Sequence, residues 1–173
     1  MGKEKAGFDE LWAHPFMAFR DYKTGIKTGK NDIIWLDTMT PAIKFTPGVV
    51  VREYTINDQT LRETLSVSAE KEGMIIRYEW EGSEPVDLFV STKSNLRLMW
   101  PYSSRAMGTM GYQWSKELNS LLVTDLKTRK MNAVIGFSRV PKDKKIGVFE
   151  SVEVSDGKMT SVETEKSQIA AGF

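Results

Sequence analysis

The residues "MIIRYEW", 74–80, place Met74, Ile76, Tyr78 and Trp80 on one face of an extended chain and Arg77 and Glu79 on the other. That is the period of two that a half-buried strand requires. Upstream, "VVVREYTI" (49–56) is followed by Asn57-Asp58 and then by "TLRETLSVSA" (60–69). In the latter, Leu61, Leu65, Val67 and Ala69 share one side, and Thr64, Ser66 and Ser68 take the other. Two strands separated by an Asn-Asp pair predict a hairpin. "VDLFVST" follows a turn over Gly82–Pro85, and "SLLVTDL", "MNAVIGFS", "KIGVFESVEV" and "MTSVETE" are further strand candidates, the last two joined at Ser155-Asp156-Gly157. No long segment repeats apolar residues at helical spacing. Roughly ten short strands with turn signals every ~8–12 residues predict an all-β fold, a large antiparallel β-sandwich or barrel.

The first 32 residues follow a different rule. "GFDELWAHPFMAFRDYKTGIKTGKND" is aromatic-rich without clear periodicity, and Pro15 breaks any helix that Asp9 caps. We read residues 1–32 as an N-terminal aromatic arm packing on a β-sandwich domain at 33–173. One turn of helix around residues 9–13 is compatible with that reading, and Phe8, Leu11, Trp12, Phe16 and Phe19 need a place to be buried. Ile169–Phe173, "IAAGF", reads as another strand beginning and then cut off, and on that reading the chain is expected to be a fragment of a longer protein.

Composition narrows the partners. Hydrophobic residues are 40% and charged residues 27% of 173, an ordinary soluble composition, and the formal net charge is +1. The basic residues are spread along the chain, so nucleic acid is not expected as a partner. No apolar run approaches the ~20 residues of a membrane span, so no membrane is expected either. Cysteine is absent, which removes disulfides, a thiolate nucleophile and Cys-ligated metal. The compartment stays open, with periplasmic or secreted favoured over cytoplasmic.

The catalytic vocabulary is thin. His14 is the only histidine and is read as a packed or hydrogen-bonded side chain, not a ligand or base. No Gly-rich phosphate loop occurs, and neither a metal nor a cofactor is expected. The carboxylates of "RETLSV", "YEWEGSE" and "FESVEV" are read as solvated strand faces and turns, and Asp37 and Asp125 as turn caps.

One stretch stands apart. "NLRLMWPYSSRAMGTMGYQW", 95–114, concentrates aromatic, Met and Arg side chains. Its alternation predicts a strand with Leu98 and Trp100 inward and Arg97 outward, ended by Pro101. A loop from Tyr102 to about Tyr112 follows, long by loop-length norms. Flat aromatic faces beside an Arg fork hold sugar hydroxyls or partner loops well. The candidate contact residues are therefore Arg97, Tyr102, Arg105, Tyr112 and Trp114. The competing reading has the same loop covering the open end of the core.

With these residues in view, "FTPGVVVREYTINDQTLRETLSVSAEKEGMIIRYEWEGSEPVDLFVSTKSNLRLMWPY" followed by "YQWSKELNSLLVTDLKTRKMNAVIGFS" resembles the N-terminal β-supersandwich domain that precedes the (α/α)6 barrel of several glycoside hydrolases, the glycogen-debranching-like and other six-hairpin glycosidases. The resemblance is one of pattern and segment order over residues 33–173. It implies a supersandwich of galactose-mutarotase-like type and a non-catalytic accessory role, packing on the parent chain's C-terminal catalytic barrel and lining its sugar cleft. No catalytic position carries over. A free-standing carbohydrate-binding module, with Trp100, Tyr102, Tyr112 and Trp114 stacking on sugars, is the alternative. A small mutarotase- or lyase-like enzyme is the weakest reading, since His14 lies outside the strand series. Dimerisation is expected only as an effect of truncation, through the face that met the barrel.

Overall fold

Asn57 and Asp58 both take positive φ, 49° and 61°. This is the conformation of a two-residue hairpin turn that Asn and Asp tolerate. The computed structural model describes residues 4–29, 32–94, 96–100, 109–147, 151–155, 158–162 and 171–172. Among them it holds sixteen strands, one short 3-10 turn and no α-helix. Every strand pair with a described register is antiparallel, so the expected all-β, antiparallel class is observed and is consistent with a β-sandwich.

From the N-terminus the strands are β1 (Phe8–Ala13), β2 (Phe16–Thr28), β3 (Ile34–Trp35), β4 (Ala42–Thr46), β5 (Val49–Ile56), β6 (Gln59–Val67), β7 (Met74–Glu81), β8 (Val86–Lys93) and β9 (Arg97–Leu98). There follow β10 (Met110–Ser115), β11 (Ser120–Asp125), β12 (Asn132–Gly136), β13 (Lys145–Ile146), β14 (Ser151–Ser155), β15 (Lys158–Val162) and β16 (Ala171–Gly172). One sheet has the order β1-β2-β8-β16-β13, with β3 and β9 also pairing to β2. The others are β4-β5-β6-β7, β10-β11-β12 and β14-β15.

Contacts divide the chain into two units. The first comprises the residues up to Asp9 and Lys23–Val90, and the second Glu10–Tyr22 and Ser91 onward. The segment read as an arm supplies β1 and the thirteen-residue β2, and β2 takes an inner place in its sheet. The helical turn entertained for residues 9–13 is instead strand. Hydrogen bonding to β2 outweighs the weak capping signal of Asp9, as tertiary context commonly outweighs propensity.

In the first unit β5, β6 and β7 of the meander β4–β7 alternate as their sequence predicts, while β4, not foreseen as a strand, is exposed along its whole length. Tyr54 on β5 faces Leu61 on β6, which faces Trp80 on β7. Tyr54, Ile56 and Leu61 are buried with Ala6, Ile26 and Leu36, and Tyr78, Trp80, Ile34, Met39 and Val86 pack around them. Each such buried Leu or Ile stabilises the fold by ~1.5–3 kcal/mol. The Trp80 indole N–H donates to the Glu84 carbonyl at 2.8 Å, which satisfies the one polar atom of that ring.

In the second unit β10, β11 and β12 form a second meander. Tyr112 faces Val123 and Trp114 faces Leu121, while Ala133 and Ile135 stand opposite Val123 and Leu121 on the far side. Leu121 and Val123 are fully buried. The β11–β12 turn is capped as expected for Asp125. Its carboxylate accepts the Lys127 N–H at 3.0 Å, the Thr128 N–H at 3.2 Å and the Thr128 hydroxyl. The Thr128 hydroxyl, then the two N–H groups, hold the Asp125 pKa below its ordinary value even though burial opposes this. Asp37 instead lies in the 3-10 turn Leu36–Thr38 and pairs with Lys23 at 3.1 Å.

Candidate functional site

Arg97 enters its site through β9, where it stands opposite Met17 of β2. Its guanidinium carbon lies 5.9 Å from the Trp12 ring centroid. This is cation–π range, worth ~0.5–1 kcal/mol where solvent reaches the pair. The Trp12 indole N–H is fixed by Glu10 at 3.0 Å. Arg97 is thus half-buried on an aromatic face and not simply outward-pointing.

The residues after Arg97 depart from the expected alternation. Leu96 is fully buried and takes φ of 46°, and β9 ends at Leu98, with the Met99 N–H donating to the Pro15 carbonyl at 2.8 Å. Trp100 is consequently not a core residue: it is 79% exposed. The reason is geometric. Two residues of pairing carry the alternation only as far as Leu98, and beyond it no described strand partner imposes a face.

Tyr112 lies inside β10 and not in a loop, because Met110, Tyr112 and Trp114 continue a period of two against β11. Its hydroxyl donates to the Ser94 carbonyl at 3.1 Å, and burial raises its pKa. Ser94 donates in turn to the Ala18 carbonyl at 2.6 Å, and Thr92 to the Arg20 carbonyl at 3.0 Å. Trp114 stacks on Phe137, ring centroids 6.3 Å apart and planes 29° from parallel, and the Lys144 ammonium sits 5.1 Å from its centroid. Neither Trp114 neighbour was among the candidate contact residues: Phe137 falls within the strand candidate "MNAVIGFS", and Lys144 lies outside every strand candidate. Tyr102 and Arg105 lie outside the described residues. The five candidates therefore do not form one described cluster: Arg97 is held by Trp12, Tyr112 by Ser94, and Trp114 by Phe137 and Lys144.

The largest departure lies in the first unit. Glu63 of "RETLSV" is not on a solvated face but is 0% exposed, beside Arg52 at 1%. The two stand opposite each other on β6 and β5, and an Arg52 Nη1–H donates to Glu63 Oε1. The Gly7 N–H donates to both carboxylate oxygens at 3.1 and 3.2 Å, and the same Arg52 nitrogen donates to the Gly7 carbonyl at 3.3 Å. The Tyr78 hydroxyl, opposite Glu63 on β7, donates to Oε2 at 3.3 Å, and Thr24 Oγ1 lies 2.6 Å from the Tyr78 oxygen. Nearby, burial and then the Glu63 charge push the Tyr54 phenol pKa upward. A buried charge that is paired and hydrogen-bonded in this way is tolerated, whereas an unpaired one is not.

This pair was legible in part. Glu63 shares parity with Leu61 and Leu65, and a two-residue turn that pairs Ile56 with Gln59 puts Arg52 opposite Glu63. What cannot be read locally is that Gly7, far along the chain, closes the arrangement.

Chemically, both buried carboxylates among the described residues are engaged in structural hydrogen bonds, Glu63 with Arg52, Gly7 and Tyr78, and Asp125 within its own turn. His14 is exposed in the β1–β2 turn, so it is not the packed side chain expected. A shallow depression of about 440 Å³ is lined by Glu4, Lys5, Asp9 and Asp37. No group of three or more His, Asp or Glu side chains among the described residues could hold a metal ion. No family model matches the chain, and neither a curated protein nor a solved structure matches it.

Proposed function

We propose that the chain is a non-catalytic N-terminal accessory domain of a carbohydrate-active enzyme, packing on a catalytic (α/α)6 barrel, with Trp100 as the platform that meets a sugar ring. The observation that carries this reading is the exposure of Trp100, 79% in the free chain. A Trp side chain offers ~150–250 Å² for burial, so covering this one makes on the order of 3 kcal/mol available to a partner. Its flat face suits the apolar face of a pyranose, and in sequence it lies directly before the stretch that holds Tyr102, Arg105 and Tyr112. The engagement of Glu63 and Asp125 in structural hydrogen bonds agrees with a non-catalytic role.

The test is a tryptophan-fluorescence titration with a panel of soluble glucans. The chain has five Trp, so Trp100→Ala assigns the signal. A saturable change in the wild-type protein that disappears in the folded Trp100→Ala variant is the expected result. A flat wild-type response across the panel, or an unaltered response in Trp100→Ala, overturns the reading.

A further inference from the structure

The ion pair of the first unit grips both backbone polar groups of a single residue in the N-terminal segment. Glu63 accepts the Gly7 N–H through both oxygens, and Arg52 donates to the Gly7 carbonyl. Gly7 itself takes φ of 71°, a left-handed conformation that favours glycine. On either side of it, Ala6 and Phe8 are 1% and 5% exposed, while Glu4 and Lys5 are exposed. Ala6 belongs to the cluster of Tyr54, Ile56, Leu61, Ile26 and Leu36.

Ala6 has one methyl to bury, so apolar contact contributes little to holding the residues before Phe8, which is itself buried where β1 begins. The charge-assisted hydrogen bonds are the stronger tie, since bonds to ionised groups exceed neutral ones about twofold. The charges also cannot serve elsewhere. Tyr78 occupies the remaining approach to Oε2, and Thr24 orients Tyr78.

From this we infer that Arg52 and Glu63 form a lock on residues 4–7, a strap that opens as a local unit when the lock is lost, uncovering the apolar floor beneath Ala6 without unfolding the β4–β7 sheet. The strands beneath the strap keep their own ladders from Val49↔Ser66 to Ile56↔Gln59 and from Thr60↔Glu81 to Val67↔Met74, none of which depends on Gly7. Opening of such a segment is a sub-global event with its own equilibrium.

The Lys5–Ala6 bond provides the readout, because trypsin must draw the residues after an exposed lysine into its cleft, and here these are buried. Cleavage after Lys5 is timed by mass spectrometry in the wild-type protein and in Glu63→Gln over a series of low urea concentrations, with cleavage after Arg77 as the measure of sheet opening. The expected result is at least a tenfold faster cut after Lys5 in Glu63→Gln, with a urea dependence in both proteins shallower than that of the Arg77 cut, because opening the strap exposes less surface than opening the sheet. An unchanged Lys5 rate, or a Lys5 cut whose urea dependence matches that of the Arg77 cut, overturns the lock. Should Glu63→Gln fail to fold, the paired variant Arg52→Met with Glu63→Leu removes both charges at once, and the same two outcomes apply to it.

Discussion

The inner faces of two antiparallel meanders in this chain solve one problem in opposite ways. In β10–β12 the middle of the face is apolar, with Leu121 and Val123 fully buried between Tyr112, Trp114 and Ala133, and its polar groups are satisfied close by, the Tyr112 hydroxyl by a backbone carbonyl and the Asp125 carboxylate at the end of β11 by its own turn. In β5–β7 the middle row of the face is Arg52, Glu63 and Tyr78, so a full ion pair sits where the other sheet has Val and Leu. Period two alone decides which residues point inward; it does not require them to be apolar. What it requires is that each inward polar atom finds a partner. The first sheet meets that condition for the Glu63 carboxylate and the Tyr78 hydroxyl with groups from outside the sheet, Gly7 and Thr24, while the Tyr54 hydroxyl is buried without a hydrogen-bond partner among the described residues. It thereby makes its stability depend on distant chain, whereas the second sheet depends mainly on its own packing.

The contrast breaks first at Glu63. Glu63→Leu alone leaves the Arg52 guanidinium buried without its counter-charge, and we expect a loss of about 3–5 kcal/mol in urea-unfolding free energy. Arg52→Met combined with Glu63→Leu removes both charges and recovers most of that loss, since apolar replacement of a buried pair is often near neutral. If the double variant is as unstable as the single one, the polar row contributes more than mutual compensation.

Matched tyrosine substitutions sharpen the comparison. Tyr78→Phe takes a hydrogen bond from a buried carboxylate and strands Thr24, at an expected cost of about 1.5–3 kcal/mol, against about 0.5–1.5 kcal/mol for Tyr112→Phe, which frees one neutral carbonyl. Equal losses in denaturant midpoint for the two variants would show that the charged row holds Tyr78 no more firmly than a neutral contact holds Tyr112.

The smallest effect belongs to the β11–β12 turn and depends on pH. The Asp125 pKa is lowered in the folded chain, from 3.8, chiefly by the Thr128 hydroxyl. A depressed carboxylate pKa means that the capping contribution is complete above the unfolded value and is lost as pH falls through the lower folded one. Urea midpoints followed from about pH 5 to about pH 2 should therefore fall less steeply in Asp125→Asn than in the wild-type protein. Identical slopes would place the acid sensitivity elsewhere.

Several features are legible in the sequence. The faces of β5, β6 and β7, the Asn57-Asp58 turn and the Asp125 cap follow from local rules: successive side chains alternate, and short polar side chains satisfy their own turn. The candidate contact residues were less legible. Tyr112 and Trp114 fall at strand parity with Met110, a signal obscured by the loop-like composition just before them. Trp100 keeps parity with Leu98, yet parity means nothing once pairing stops. The strands of the first 32 residues gave no periodic signal, since β1 is mostly half-buried with no alternation and β2 buries consecutive residues Met17, Ala18 and Phe19.

The sequence by itself determined an all-β chain, the side of each regular strand on which every residue stands, and the turns that set hairpin register, because these are consequences of backbone geometry over a few residues. Only the tertiary structure decided that Glu63 is buried and Trp100 exposed. Burial is a property of what covers a face. For Glu63 the covering group is Gly7, separated from it by 56 residues of chain.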